Sequence, residues 1–153
     1  MNKYKNITLF LAKFFGTYFL LFAIYASYLN VSQEKENGFQ CSSITKQVAD
    51  HTVSLLQMFK YNVSSVQHEA EMSIKLFVGN QYVARVIEGC NSISIIILFV
   101  AFIVGFAGSK RNTIVYAIVG SLIIYIINIF RIAFLTMMLY KYPNERMVLH
   151  NLI

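Results

Sequence analysis

A chain of 153 residues that is 57% hydrophobic and 13% charged, with mean hydropathy +0.56, is not composed like a soluble domain, where about 25% of residues are charged. The net charge of +6 is spread along the chain and forms no basic stripe, which argues against nucleic acid as a partner and agrees with positive-inside sorting of membrane loops. Two cysteines exclude a disulfide framework and a Cys-rich metal site, and one Pro, 7 Gly and no fixed-period repeat leave no linker between domains.

In chain order, a short basic start (Lys3, Lys5) precedes an apolar stretch over residues 7–29. It is too long for the core of a signal peptide and lacks a small-x-small cleavage site, so it reads as an uncleaved span. Lys13 snorkels to the cytoplasmic face, which places the N-terminus inside. With no Trp and 10 Tyr, interfacial anchoring falls to tyrosine.

Residues 30–90 form the one sizeable polar region and are read as external. Residues 33–38 read as a loop. From Ser42 onward, Ile44, Val48, Leu55 and Phe59 recur near a 3.6-residue period, with Lys46, Gln47 and Asp50 opposite. This predicts an amphipathic helix lying on the membrane or covering a site. From Met72 the period changes to two (Met72, Ile74, Leu76), and Gly79 and Asn80 supply a turn, which predicts a β-hairpin whose second strand runs into Cys90.

A second span is expected over residues 92–108, with Ser92 as its N-cap and a tight basic loop, Gly108-Ser109-Lys110-Arg111-Asn112, at its cytoplasmic end. A third covers residues 113–140 and returns outward, ended by Pro143. Arg131 then lies about 27 Å beyond Thr113 along the axis, near the outer edge of the hydrocarbon and at a depth similar to Cys90. His150 follows on the same side. The fold class read from the chain is therefore mainly α: a single membrane helical bundle of three spans, with an external amphipathic helix and a short hairpin between the first and second.

A cysteine, an arginine and a histidine brought to one membrane face suit thiol-based acyl transfer. A thiol attacks as thiolate, a form favoured by a helix N-terminus and a nearby guanidinium. Arg131 suits an oxyanion or a substrate carbonyl, and His150 suits a general acid/base. Asn128, Tyr125 and Ser121 form a polar stripe with Arg131 at helical spacing. From the residues alone the alternatives stay open. Cys90 also fits a small core residue, Arg131 a snorkelling interfacial one and His150 a solvated one. Cys41 and Cys90 are both external, so a disulfide between them stays open. His51 and His68 show no metal-ligand spacing, and no cofactor or metal is expected.

Glu88-Gly89-Cys90-Asn91-Ser92-Ile93-Ser94, between a hairpin and an apolar span, resembles the cysteine motif of the exosortase/archaeosortase family. Asn128-Ile129-Phe130-Arg131-Ile132 resembles its arginine motif, and His150-Asn151 fits the position of its histidine. The resemblance runs over about residues 61–150 and is nearest the small exosortase F-like members. It implies an integral-membrane cysteine transpeptidase or protease of the inner (plasma) membrane, with its site on the external or periplasmic face. The implied substrates are exported proteins bearing a C-terminal sorting signal, which are cut through a Cys thioester and passed to an unknown acceptor. Cys90 is then the nucleophile, Arg131 the transition-state or substrate-binding residue and His150 the acid/base, with Asn128, Tyr125, Ser92 and Glu88 in support. Two departures stand out. Asn91 and Ser92 replace the Ser-Gly that follows the cysteine in many members, and members generally continue past the histidine into a further span whereas this sequence stops at Ile153, so a missing span after residue 153 and a truncated or inactive form stay open. The alternative function is a non-catalytic membrane scaffold or accessory subunit of an export system; a channel component is a weaker one.

Overall fold

The computed structural model describes residues 2–35, 42–69, 71, 73–106 and 108–145. Among these described residues, four α-helices and three strands follow in the order α1 (Asn2–Lys35), α2 (Ser43–Met58), β1 (Val63–Gln67), β2 (Ser73–Val78), β3 (Gln81–Ile87), α3 (Ile93–Gly105) and α4 (Lys110–Lys141). Short 3₁₀ turns occupy Glu88–Cys90 and Pro143–Glu145. The chain divides into two compact units, Met1–Ser32 with Ser92–Ile126, and Gln33–Asn91 with Ile127–Ile153.

The first unit is helical. Apolar side chains surround α1, with Leu9, Phe15, Phe19, Leu20 and Ile24 all exposed, as expected of a helix that faces lipid. Phe10, Phe14, Tyr18 and Phe22 recur every four residues and stack in sequence along it, with ring centroids 6.1, 6.5 and 6.0 Å apart. Phe10 also meets Phe106, just past the end of α3, at 4.6 Å. The helix α4 approaches α3 at Gly120, where a Cβ would run into the ring of Phe99.

Two helices, over Lys3–Val31 and Lys110–Lys141, are long and apolar enough to cross a membrane. The expected span over residues 92–108 contracts to the 13 residues of α3, about 20 Å at 1.5 Å per residue, against a hydrocarbon core of about 30 Å. Helix boundaries depart from the sequence reading elsewhere too. The first helix continues through Lys35, so Gln33 to Lys35 are not loop. Lys110, Arg111 and Asn112 form the first turn of α4 instead of a linker, and the main-chain oxygen of Ser109 accepts from both the amide and the hydroxyl of Thr113.

The second unit places α2 against a three-stranded antiparallel sheet in the order β1-β2-β3. Ser42 caps α2, its Oγ accepting from the amide of Thr45 at 3.4 Å. The buried face is Thr45, Val48, Ala49, Thr52 and Leu56, whereas Phe59, expected on that face, is exposed. The buried face is rotated from the predicted one because two threonines belong to it. Thr52 is accommodated by donating its hydroxyl to the oxygen of Val48 at 2.8 Å.

The predicted hairpin is present. Val78 pairs with Gln81, and Gly79 takes φ 62° at the first central position of the two-residue turn, a conformation that costs glycine little. A register shift between Leu76 and Phe77 marks a bulge in the β2–β3 pair. Strand β1, absent from the sequence reading, pairs Val63 with Val78 on the other side of β2. The core joins Leu56, Val63, Val78 and Val83 to Ala133 of α4, with Tyr61 and Met137 at its margin.

Candidate functional site

Cys90 closes the 3₁₀ turn that follows β3 and carries a free, half-buried thiol. The second strand of the hairpin therefore does run straight to it. Two neighbouring contacts hold its backbone. The side-chain amide of Asn128, on α4, donates to the Cys90 oxygen at 2.6 Å. Next along the chain, the buried Asn91 donates to Thr45 Oγ1 of α2 at 3.4 Å. The turn is thus tied to a helix on each side through a polar pair.

Arg131 follows Asn128 by three residues on α4, so both project from one face of the helix. Arg131 is exposed and has no ion-pair partner among the described residues. Cys90, Asn128 and Arg131 line one cleft of about 440 Å³. One wall is β3 at residues 82–87; the other is the α4 face carrying Ile132, Leu135, Thr136 and Leu139. A free thiol, and a guanidinium with no ion-pair partner among the described residues, share one mostly apolar cleft and are the elements of a nucleophile and an anion-stabilising group.

The other expected site residues are distributed differently. Ser92 does not cap α3: its φ is 60°, its side chain makes no capping bond, and its buried Oγ has no hydrogen-bond partner among the described residues. Glu88 supplies backbone to the turn before Cys90. Tyr125 belongs to the other compact unit and does not line the cleft. His150 and Cys41 lie outside the described residues. His51 is exposed on α2, and His68 follows β1 with its amide donating to the Ser73 oxygen.

Sequence reasoning missed Thr45 as a partner of the cysteine turn, because a threonine in the first turn of a helix carries no signal beyond the helix start. It also missed the wall formed by β3, since which edge of that strand is free depends on β1 taking the far side of β2.

A family profile described as Transmembrane exosortase matches residues 7–153. The chain belongs to the transmembrane exosortase family. The match spans nearly the whole chain and names the same family as the sequence resemblance over about residues 61–150. No curated protein and no solved structure matches this exosortase. Membership places it among membrane proteins of a transpeptidase-related family, in keeping with its two long apolar helices.

Proposed function

We propose that this exosortase is a membrane-embedded cysteine transpeptidase that cleaves C-terminal sorting signals of exported proteins and transfers them to an acceptor. The observation that carries the reading is the convergence of Cys90, Asn128 and Arg131 on one cleft. In the proposed reaction the Cys90 thiolate adds to the scissile carbonyl, and Arg131 stabilises the oxyanion that forms. The intermediate collapses to a thioester as the amine leaves, taking a proton from His150. An acceptor nucleophile, deprotonated by His150, then displaces the thiolate and completes the transfer; water in its place gives hydrolysis. Asn128 holds the Cys90 backbone in position. Glu88 and Ser92 shape the turn around the thiol, and Tyr125 extends the polar stripe of α4.

The proposed setting is the inner (plasma) membrane with three spans and the site on the external or periplasmic face. Lys3, Lys5 and Lys13 at the start of α1, and Lys110 and Arg111 at the start of α4, support cytoplasmic placement of those ends. The lipid bilayer and exported proteins are then its partners.

The test is co-expression with an exported reporter that ends in a short motif, a transmembrane helix and a basic tail. Cys90→Ser should abolish reporter processing while the protein accumulates in the membrane at its usual level. Processing that survives in Cys90→Ser would make the chain a scaffold for another enzyme.

A further inference from the structure

We propose that the free edge of β3 is the substrate seat, where the segment to be cut lies along residues 82–87 as a fourth strand of the sheet and so reaches Cys90 in extended form. The inference rests on the function proposed above and adds how the substrate is held.

Strand β3 pairs with β2 on one side, and among the described residues no strand pairs with its other side. An outermost strand presents alternate N–H and C=O groups outward, ready to pair with another backbone. Side chains alternate between the two faces of a sheet, so a cleft that touched one face of β3 would be lined by every second residue. Six consecutive residues, 82–87, line the cleft instead. The bulge opposite Leu76 and Phe77 breaks the alternation near Val83, but the lining stays consecutive past it, from Ala84 to Ile87, which points to the strand's edge as the wall.

The facing wall has a different period. Arg131, Ile132, Leu135, Thr136 and Leu139 recur at helical spacing and form one face of α4. The cleft is therefore a slot between a strand edge and an apolar helix face. Residues 82–87 span about 17 Å at 3.3–3.4 Å per residue, room for five or six residues of extended chain. Cys90 stands just past the end of that edge, with Arg131 across the slot.

The edge selects the occupant by its chemistry. Its outward amides and carbonyls recur every second residue, and another extended backbone carries donors and acceptors at the same repeat. A helix has its backbone groups already paired, and a purely apolar ligand would leave the edge unsatisfied. Main-chain pairing makes recognition tolerant of sequence, while Ile132, Leu135 and Leu139 favour apolar side chains at alternate positions of the substrate.

The test uses the 153-residue chain in detergent, with Cys41→Ser so that one thiol remains. The probe is the peptide acetyl-Val-Thr-Val-Thr-Cys-amide, joined to Cys90 as a mixed disulfide so that the slot sees a high effective concentration. Hydrogen exchange is followed residue by residue over β3. The expected result is that alternate amides within residues 82–87 slow by about tenfold, the scale of one added hydrogen bond. Two further probes carry N-methyl groups on complementary sets of amides; one should lose the protection and the other keep it. Equal protection by all three probes, or none by any, overturns the proposal. So does an edge already protected before the probe is attached, which would assign it to residues 146–153 of the chain or to a second copy. A Cys90 that accepts no probe counts against the proposed nucleophile and not against the seat, which is then decided by the same probes on Ile87→Cys in a Cys90→Ala chain.

Discussion

Asn128 and Cys90 are joined by a hydrogen bond in which the side-chain amide of Asn128 donates to the main-chain oxygen of Cys90 at 2.6 Å. The bond leaves the thiol itself uncommitted while fixing the peptide that bears it. Asn128 is buried, so its amide has few alternatives to this acceptor. The pairing of an asparagine and an arginine one helical turn apart thereby has a division of labour: Asn128 holds the protein, and Arg131 is left free for what enters the cleft.

Asn128→Asp tests that division. A carboxylate has no hydrogen to donate and would face the Cys90 oxygen with like partial charge. The loss should cost about 1–3 kcal/mol of stability and lower the melting temperature, with reporter processing reduced at least in proportion. Asn128→Gln keeps the donor on a longer arm and should recover part of both. Equal melting temperatures for wild type and Asn128→Asp would show that the bond holds nothing.

Arg131 is exposed and forms no ion pair among the described residues, so its replacement should leave the fold intact. In Arg131→Ala, processing should fall by about 10²–10³, the range for removing one group from an oxyanion site. Arg131→Lys keeps the charge but not the planar fork, and should restore only a fraction. Labelling of Cys90 by an impermeant sulfonated maleimide should also slow in Arg131→Ala, because the guanidinium lines the same cleft and draws the anionic reagent in. A labelling rate indifferent to Arg131 would separate the two residues and remove the main support for their joint role.

Much of this site was legible in the chain because its parts are local. Cys90 follows a hairpin whose turn at Gly79 and Asn80 is a strong short-range signal, and Asn128 and Arg131 share a helix face by spacing alone. The less legible parts depend on partners distant in sequence. Strand β1 carries Ser64, Ser65 and Gln67 among its five residues, so its apolar period is too diluted to read until β2 is seen beside it. Thr45 and Thr52 read as polar positions, yet they belong to the buried face of α2 because each hydroxyl finds a partner. The N-cap expected at Ser92 fails for a backbone reason: at φ 60° its side chain does not reach the first turn of α3.

That same backbone makes a prediction in the opposite direction from most substitutions. Ser92 holds a left-handed conformation that costs a residue with a Cβ about 1–2 kcal/mol, and its buried hydroxyl has no partner among the described residues. Ser92→Gly removes both penalties, offset in part by the added freedom of the unfolded chain. The variant should melt higher than wild type by an amount equivalent to about 1 kcal/mol. The family resemblance, in which glycine often stands second after the cysteine, then has a conformational cause. A lower melting temperature for Ser92→Gly would mean that the hydroxyl is satisfied in solution and that the strain is small.

The topology turns on α3, whose 13 residues reach about 20 Å, roughly two thirds of a hydrocarbon core. A helix this short can complete a crossing only if the bilayer thins around it or if its flanking residues carry the chain through the interfaces. The alternative is a re-entrant segment that returns to the face it left. Charge favours a crossing. Lys110 and Arg111 begin α4 at the end where the helix dipole disfavours cations, a placement that membrane sorting explains better than helix stability does. The two cases differ in where Ser109 lies relative to the Gly79 turn. Single cysteines at Asn80 and Ser109, each in a Cys41→Ser, Cys90→Ser chain, distinguish them in intact cells whose outer face is open to an impermeant maleimide. A crossing predicts rapid labelling at position 80 and labelling at position 109 only after the membrane is permeabilised. Labelling of both from outside would make α3 re-entrant, reverse the assigned direction of α4 and require the face on which Cys90 works to be assigned afresh.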